Sequence, residues 1–344
     1  MVTIAVVMGL LAIITGRSLG YPLRDPEGFL GPAWVRLPML CFGAFIADIV
    51  PRTLWRTRGR VREFRTEARL LIREHWTRER ITLVVLGLVC FYVTYVSYRN
   101  LKNFLPFIRG GKTRQGDYEL HKFDQWLLLG NDPSLLLHDL LGTTVTAHVL
   151  SWVYLIFLPM VPISVTIWLV WSRNVSFGYW YVTAQCICWT LGTASYYMIP
   201  TLGPNFAFPW LYEGLDTTGV SALQDALYYG RQSVRFNPFA EGVQSVAGFA
   251  SLHVAVTLLM ALVAQYTVRH RVIKIVLWCY MGLTVLSTTY FGWHYIADDI
   301  AGAVIAFISF YLGGIATGQR FDEHGRHSHP TTTTSDVPLE SDSR

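Results

Sequence analysis

Residues 81–98, ITLVVLGLVCFYVTYVSY, form eighteen consecutive positions without a charged side chain. A helix needs about 20 mostly apolar residues to cross the hydrocarbon core of a bilayer. Five later stretches are also mainly apolar: residues 142–172, 174–212, 249–268, 275–292 and 296–318, of which the last alone contains charged residues, Asp298 and Asp299. The third span should end before Pro200, where proline and glycine indicate irregular chain. The pattern predicts an all-α integral membrane protein with a six-helix transmembrane core bundle.

The composition agrees with a membrane protein. Of the 344 residues, 52% are hydrophobic and 15% are charged, whereas soluble domains carry about 25% charged residues. The net charge of +5 is modest, and the basic residues lie beside the apolar spans. No nucleic-acid partner is therefore expected.

The chain divides into four predicted segments. Residues 1–51 contain two shorter apolar stretches, 2–16 and 34–50, which predict two additional N-terminal membrane helices. Residues 52–80 form a basic segment, residues 81–318 form the six-span catalytic membrane domain, and residues 319–344 form a polar tail. Because that tail is rich in Thr, Ser and Pro, it is expected to be disordered.

The basic segment indicates how the chain is oriented. Residues 52–80 hold ten arginines against four glutamates, and positively charged loops stay in the cytoplasm. Counting spans from there places residues 200–248 and the start of the last span outside. Residues 118–142 mix Trp and Leu with acids, which is typical of an interfacial helix.

Two histidines lie at span boundaries on this outer side. His253 begins a span, and His294 precedes the last one. Asp298 follows His294 by four positions, so on a helix the two side chains share a face. A carboxylate in that position fixes the tautomer of an imidazole and raises the basicity of its other nitrogen. The spacing predicts a nucleophilic or general-base His294, oriented by Asp298, with His253 as the proton donor to a leaving oxygen.

Other classes of protein remain open at this stage. Membrane histidines and aspartates can mark the path of a transporter, although the chain shows no internal repeat. An intramembrane serine protease using Ser251 and His294 is disfavoured, because Leu252 follows the serine where a glycine is expected. A haem-binding histidine pair is weaker still, since both histidines stand at span ends.

The two histidine motifs resemble those of a known family. Residues 251–253, SLH, and residues 292–298, GWHYIAD, look like the second and third motifs of the type 2 phosphatidic acid phosphatase superfamily. Ala250 replaces the proline of the second motif, and Thr288 stands where the third motif has a phosphate-binding arginine. The first motif is absent. These departures, with YYMIPTLGPNFAFP (196–209) and TTGVSALQDALYYGR (217–231), resemble the inositol phosphorylceramide synthase-like branch.

The resemblance implies a chemistry and a set of roles. His294 would form a phosphohistidine, and Ser251 and the amides beside it would bind phosphoryl oxygens, as helix N-termini do. The missing arginine leaves a cation to be supplied, and Arg231 and Arg235 are the basic residues of the loop 200–248. No metal or other cofactor is expected, because the chain lacks the spaced aspartates of metal-dependent CDP-alcohol phosphotransferases.

The expected substrate is a membrane lipid of the phospholipid or polyprenyl phosphate type. A second lipid or a sugar is the possible acceptor. Transfer to such an acceptor and plain hydrolysis by a lipid phosphate phosphatase both remain open, and transfer is preferred because the loop 200–248 is unusually apolar.

Overall fold

The structure, a computed structural model, describes residues 1–25, 33–109, 113–237, 246, 248–321 and 328–330. Its helices are α1 (Val2–Leu19), α2 (Ala33–Thr57), α3 (Val61–His75), α4 (Arg78–Arg109), α5 (Thr113–Leu127), α6 (Pro133–Leu141), α7 (Val145–Trp171), α8 (Val175–Met198), α9 (Pro204–Ala207), α10 (Gly219–Phe236), α11 (Leu252–Thr267), α12 (Arg271–Tyr290) and α13 (Ile296–Ala316). The predicted all-α membrane architecture is confirmed.

The six predicted core spans correspond to α4, α7, α8, α11, α12 and α13. Within the described residues, α1, α4, α7, α12 and α13 are long and apolar enough to cross a membrane. Helix α11 is also apolar but has only 16 residues. The remaining core helix, α8, has 24 residues and packs against α4, α7, α11 and α13.

The interior position of α8 explains its polar residues. The hydroxyl of Tyr181 donates to Ser164 Oγ at 2.7 Å, and the Gln185 amide donates to the Tyr181 hydroxyl at 2.8 Å. The indole of Trp189 in turn donates to Gln185 Oε1 at 3.1 Å. A buried polar side chain is tolerated when it is hydrogen-bonded, so this chain of bonds allows α8 to be less apolar than a lipid-facing helix.

Two helices, α1 and α2, form the N-terminal region, as predicted, and the second extends six residues into the basic segment. Helix α1 packs along α4, and α2 continues to Thr57. The buried carboxylate of Asp48 on α2 forms an ion pair with Arg52 at 3.0 Å and accepts from the Trp76 indole at 2.7 Å. Trp76 follows α3, so these bonds attach the arginine-rich α3 to the bundle.

Helices α4 and α7 are fastened together at the end distant from the histidines. The guanidinium of Arg80 donates to the carbonyl oxygens of Val170 at 2.6 Å and of Ser172 at 2.9 Å. These carbonyls lie at the end of α7, where a helix has no backbone donors of its own left for them. About two turns further along α4, Gly87 packs directly against the side chain of Leu169.

The structure differs from the sequence prediction at the other end of α4. The first span was predicted to end at residue 98, with a loop following it. The helix instead continues for three more turns, to Arg109. Arg99 and Lys102 are therefore helical residues, and their basic side chains only interrupt the apolar pattern.

The polar tail is described in part. Gln319–Phe321 (β1) pairs with Ser328–Pro330 (β2) in an antiparallel ladder. The other residues of the predicted disordered tail, 322–327 and 331–344, lie outside the described residues.

Candidate active site

The two histidines lie close together at the N-terminal ends of α11 and α13. Ser251 is the N-cap of α11, and its hydroxyl accepts a hydrogen bond from the Val254 amide at 3.4 Å. His253 is thereby the second residue of that helix. His294 lies in the short connection between α12 and α13. The centroids of the two imidazole rings are 5.9 Å apart.

Asp298 orients His294 through the cap of α13. Its Oδ2 lies 3.4 Å from His294 Nδ1 and accepts the amide of Tyr295, the N-cap residue, at 3.0 Å. The spacing of four residues predicted that His294 and Asp298 share one face of a helix. The structure brings them together differently, because His294 precedes the helix and Asp298 folds back over its first turn.

His294 is a neutral imidazole at neutral pH. Its side chain is 6% exposed, and this burial lowers its pKa to about 4. The positive charge of Lys102 also lowers this pKa, whereas Asp299 and the Gly248 backbone raise it. A neutral imidazole keeps the lone pair that a nucleophile requires.

Aromatic stacking fixes the other histidine. The ring of His253 stacks on Tyr154 with centroids 4.5 Å apart and contacts Phe157 at 4.1 Å. Tyr154 also stacks on Trp293 at 5.0 Å and an interplanar angle of 5°. Trp293 precedes His294 in the chain, so α7 aligns both histidine-bearing segments.

The histidines line a cavity of about 150 Å³. Arg99 and Lys102 from α4 line it as well. Most of the remaining wall is aromatic: Tyr95, Tyr98, Tyr154, Phe157, Trp189, Tyr196 and Trp293. The cavity thus combines a nucleophile, a second imidazole and two cations inside an apolar wall.

The family model of the PAP2 superfamily matches residues 118–312, more than half of the chain. The chain belongs to the PAP2 superfamily. Membership makes it a membrane enzyme of the phosphatase and phosphotransferase type, acting on phosphoesters. Comparison with curated proteins and with solved structures gives no match.

Arg99, Lys102 and Asp117 precede the residues that match the PAP2 superfamily. Asp117, on α5, is buried and accepts three hydrogen bonds: from the amides of Leu202 and Gly203 at 3.0 Å and from the Tyr295 hydroxyl at 3.1 Å. It therefore joins the loop after α8 to the residue that follows His294. Burial raises the pKa of Asp117 to about 6, although the bonds from Gly203, Leu202 and Tyr295 act in the opposite direction.

Asp124 holds the start of α13 from the same face of α5. It lies seven residues after Asp117, about two turns of helix, and its carboxylate accepts the Ile296 amide at 3.2 Å. Ile296 is the first residue of α13, whose amide has no partner within the helix. Burial raises the pKa of Asp124 to about 7. No sequence pattern marks either acid, because their partners are backbone amides far away in the chain.

The loop that carries the third PAP2 motif has little freedom. Gly292 has a φ of +64°, and a side chain there would collide with the ring of Tyr212. Its carbonyl accepts the Asn205 amide at 2.8 Å, and the carbonyl of Phe291 accepts from Gln224 Nε2 at 2.9 Å. These contacts hold Trp293 and His294 from several directions.

By its spacing from His294, Thr288 takes the position of the arginine in the third motif. Its hydroxyl contacts acceptors in the protein interior. It lies 2.8 Å from the carbonyl oxygen of Val285 and 3.1 Å from Asp299 Oδ2, and either oxygen can accept its proton. Thr289 adds a longer contact of 3.4 Å to the same carboxylate. Asp299 thus joins α12 to α13, and Thr288 is fully buried away from the cavity.

Of the three residues predicted to bind phosphate, the two whose side chains are described do not line the cavity that holds the histidines. Ser251 is fully buried at its helix cap and is not among the cavity-lining residues. Arg231 is buried on α10, four residues after Leu227, which does line the cavity; Arg231 itself does not. The side chain of Arg235 lies outside the described part of the chain. Their binding roles stay predictions.

Among the described residues, no group of three or more His, Cys, Asp or Glu side chains is arranged to hold a metal ion.

Proposed function

We propose that this PAP2 superfamily member is a lipid headgroup phosphotransferase, similar to inositol phosphorylceramide synthase, that works through a phosphohistidine on His294. The observation that carries the proposal is the pair of imidazoles 5.9 Å apart in one cavity, with Asp298 at Nδ1 of His294. That contact directs Nε2 as the attacking nitrogen.

The reaction has two balanced steps. In the first, the Nε2 lone pair of His294 forms a bond to phosphorus while the bond from phosphorus to the leaving alcohol oxygen breaks, and His253, which enters this step as an imidazolium, gives one proton to that oxygen. In the second, the acceptor hydroxyl attacks phosphorus, its proton returns to His253, and the phosphorus–nitrogen bond breaks. Asp298 stabilises the positive charge that His294 carries in the intermediate.

The cavity wall favours transfer over hydrolysis. Seven aromatic side chains surround the histidines, and an apolar wall reduces the access of water to a phosphohistidine. A membrane alcohol can therefore compete with water as acceptor. The donor would be a phospholipid or a polyprenyl phosphate type lipid, and the acceptor a second lipid or a sugar.

The decisive experiment follows a labelled phosphoryl headgroup. Purified enzyme is given phosphatidylinositol carrying a labelled headgroup, with and without ceramide, and products are separated as lipids and as water-soluble phosphates. We expect label in the acceptor lipid and little in water. The His294→Ala variant should transfer nothing, whereas His148→Ala, which removes an exposed histidine on α7, should behave as wild type.

Trapping the intermediate separates this mechanism from others. Acid-labile, base-stable label on the wild-type protein, absent from His294→Ala, is expected of a phosphohistidine. Steady release of water-soluble phosphate that no acceptor alters would instead establish a lipid phosphate phosphatase.

We further propose that the site faces the extracytoplasmic side of the plasma membrane, as the arginine-rich segment before α4 suggests. Cysteine at Tyr229 on α10 should react with an impermeant thiol reagent applied to intact cells, and cysteine at Arg65 on α3 should not. Both side chains are exposed, and exposed Cys279 is first replaced by serine. The reverse labelling pattern would place the reaction on the cytosolic leaflet.

A further inference from the structure

The cavity contains cations that the sequence placed in a loop. Arg99 and Lys102 are three residues apart on α4, so their side chains project from one face of the helix. Both line the cavity that contains His253 and His294. They reach it because α4 extends past residue 98, as far as Arg109.

Lys102 is held by aromatic rings and not by an acid. Its Nζ lies 5.8 Å from the ring centroid of Tyr98 and 5.5 Å from that of Tyr196. Among the described residues, no carboxylate forms an ion pair with it and no carbonyl accepts a hydrogen bond from it. Attraction to ring faces contributes only about 0.5–2 kcal/mol, and a half-buried ammonium beside an apolar wall is stabilised further when an anion binds to it. The site therefore lacks a negative partner for this cation.

The charge of Lys102 acts on the reacting groups. Together with burial, it lowers the pKa of His294 and keeps that imidazole neutral. A phosphoryl group attacked by His294 must lie in this same cavity. Among the described residues, the basic side chains of the cavity wall are Arg99 and Lys102, so the non-bridging oxygens of that group lie beside them.

We propose that Lys102, assisted by Arg99, binds the phosphoryl oxygens in this enzyme and stabilises their charge in the transition state. The inference deepens the proposed function and rests on it for the identity of the reaction. The pair binds the phosphoryl oxygens in place of the arginine of the third motif, where this chain has Thr288. It also fills the phosphate-binding role that the sequence predicted for Arg231 or Arg235. The ligand class is a phosphate monoester or diester anion, and the cation comes from the first core helix.

Binding of inorganic phosphate tests this inference without turnover. The His294→Ala protein in detergent is titrated with phosphate, and affinity is measured by calorimetry and by thermal stabilisation. Adding Lys102→Met should weaken binding about 10- to 100-fold, the value of one hydrogen bond to a charged group. Lys102→Arg should retain most of the affinity, and Arg99→Met should lose less than Lys102→Met.

Arg114→Met is the matched control, because Arg114 is an exposed arginine on α5 outside the cavity wall. It should bind phosphate as the parent protein does. Equal affinity in Lys102→Met and Arg114→Met would overturn the inference, as would a parent protein that binds no phosphate. If Lys102→Met is misfolded by gel filtration, the ratio between Lys102→Arg and Lys102→Gln decides, and equal affinities refute the role of the charge.

The proposed function can fail separately. If phosphate binding depends on Lys102 but the wild-type enzyme neither transfers nor hydrolyses any lipid phosphoester, the anion site stands and the reaction does not.

Discussion

Replacing Asp117 by asparagine removes a buried carboxylate that accepts hydrogen bonds from the Leu202 and Gly203 amides and from the Tyr295 hydroxyl. The asparagine oxygen can keep about one of these three bonds, and its amide group would face donors. Each hydrogen bond to a charged group contributes roughly 1.5–3 kcal/mol. Losing two should therefore cost about 3–6 kcal/mol of the free energy that holds α5 to the active-site loops.

The loss should also reduce turnover, because Tyr295 follows His294 directly. Misplacing a reacting group by about 1 Å can cost on the order of 10²-fold in rate. We expect Asp117→Asn to lower kcat by about this factor, with a smaller effect on KM and a lower unfolding temperature in detergent. Glu119→Gln is the matched control, since Glu119 is an exposed acid on the same helix. If Asp117→Asn matches Glu119→Gln in kcat and in unfolding temperature, the carboxylate does not position the site.

Three further outcomes are expected. His253→Ala should lose roughly 10²–10⁴-fold with natural lipids but far less with a substrate whose leaving group needs no proton, such as a nitrophenyl ester; equal losses with both would show that His253 is not the acid. Gly292→Ala should fold poorly and be inactive, because the alanine would have a φ of +64° and collide with Tyr212; a normal melting curve would contradict this. Burial lowers the pKa of His294 from its usual 6.5 to about 4 in the folded protein, so the folded state binds this proton less well than the unfolded state. Its contribution to stability is complete above pH 6.5 and is lost by up to about 3 kcal/mol as the pH falls to 4; His294→Gln should show a shallower loss over this range, and an unchanged slope would refute the assignment.

The membrane fold was predictable from the sequence because each core helix carries its own apolar run. The six predicted spans and the two N-terminal helices all correspond to helices of the structure. The close approach of His294 and Asp298 was also foreseeable, since four residues separate them whether the turn is a helix or its cap. These features depend on local spacing alone.

The cations and acids around the histidines were not predictable in the same way. Arg99 and Lys102 end the apolar run of residues 81–98, so a hydropathy argument ends the span there, although the helix continues. A long basic side chain can extend from a membrane helix into a neighbouring cavity without breaking the backbone hydrogen bonds. Asp117 and Asp124 bond to backbone amides some 85 and 172 residues away, and no sequence pattern records such a pairing.

The sequence also could not decide among the basic residues of the loop 200–248. Arg231 lies on the cavity side of α10 by its spacing from Leu227, yet the cavity wall includes the leucine and not the arginine. Which side chain of a helix reaches a cavity depends on how the helix is rotated and how deep it sits. Both are set by tertiary packing.

The fastening of α4 to α7 by Arg80 gives the two helices a pivot far from the chemistry. Lys102 lies 22 residues beyond Arg80 on α4, about 33 Å at 1.5 Å per residue. A relative tilt of about 5° around that pivot moves the cavity end of α4 by about 3 Å, while the bonds to Val170 and Ser172 need not break. Two bonds at the cavity end oppose such a tilt, because the Tyr197 hydroxyl donates to the Leu101 carbonyl at 2.6 Å and Arg109 Nε donates to the Tyr197 carbonyl at 3.0 Å. The cavity of about 150 Å³ therefore keeps its width through bonds between α4 and α8, at the end where a small rotation would displace Lys102 most.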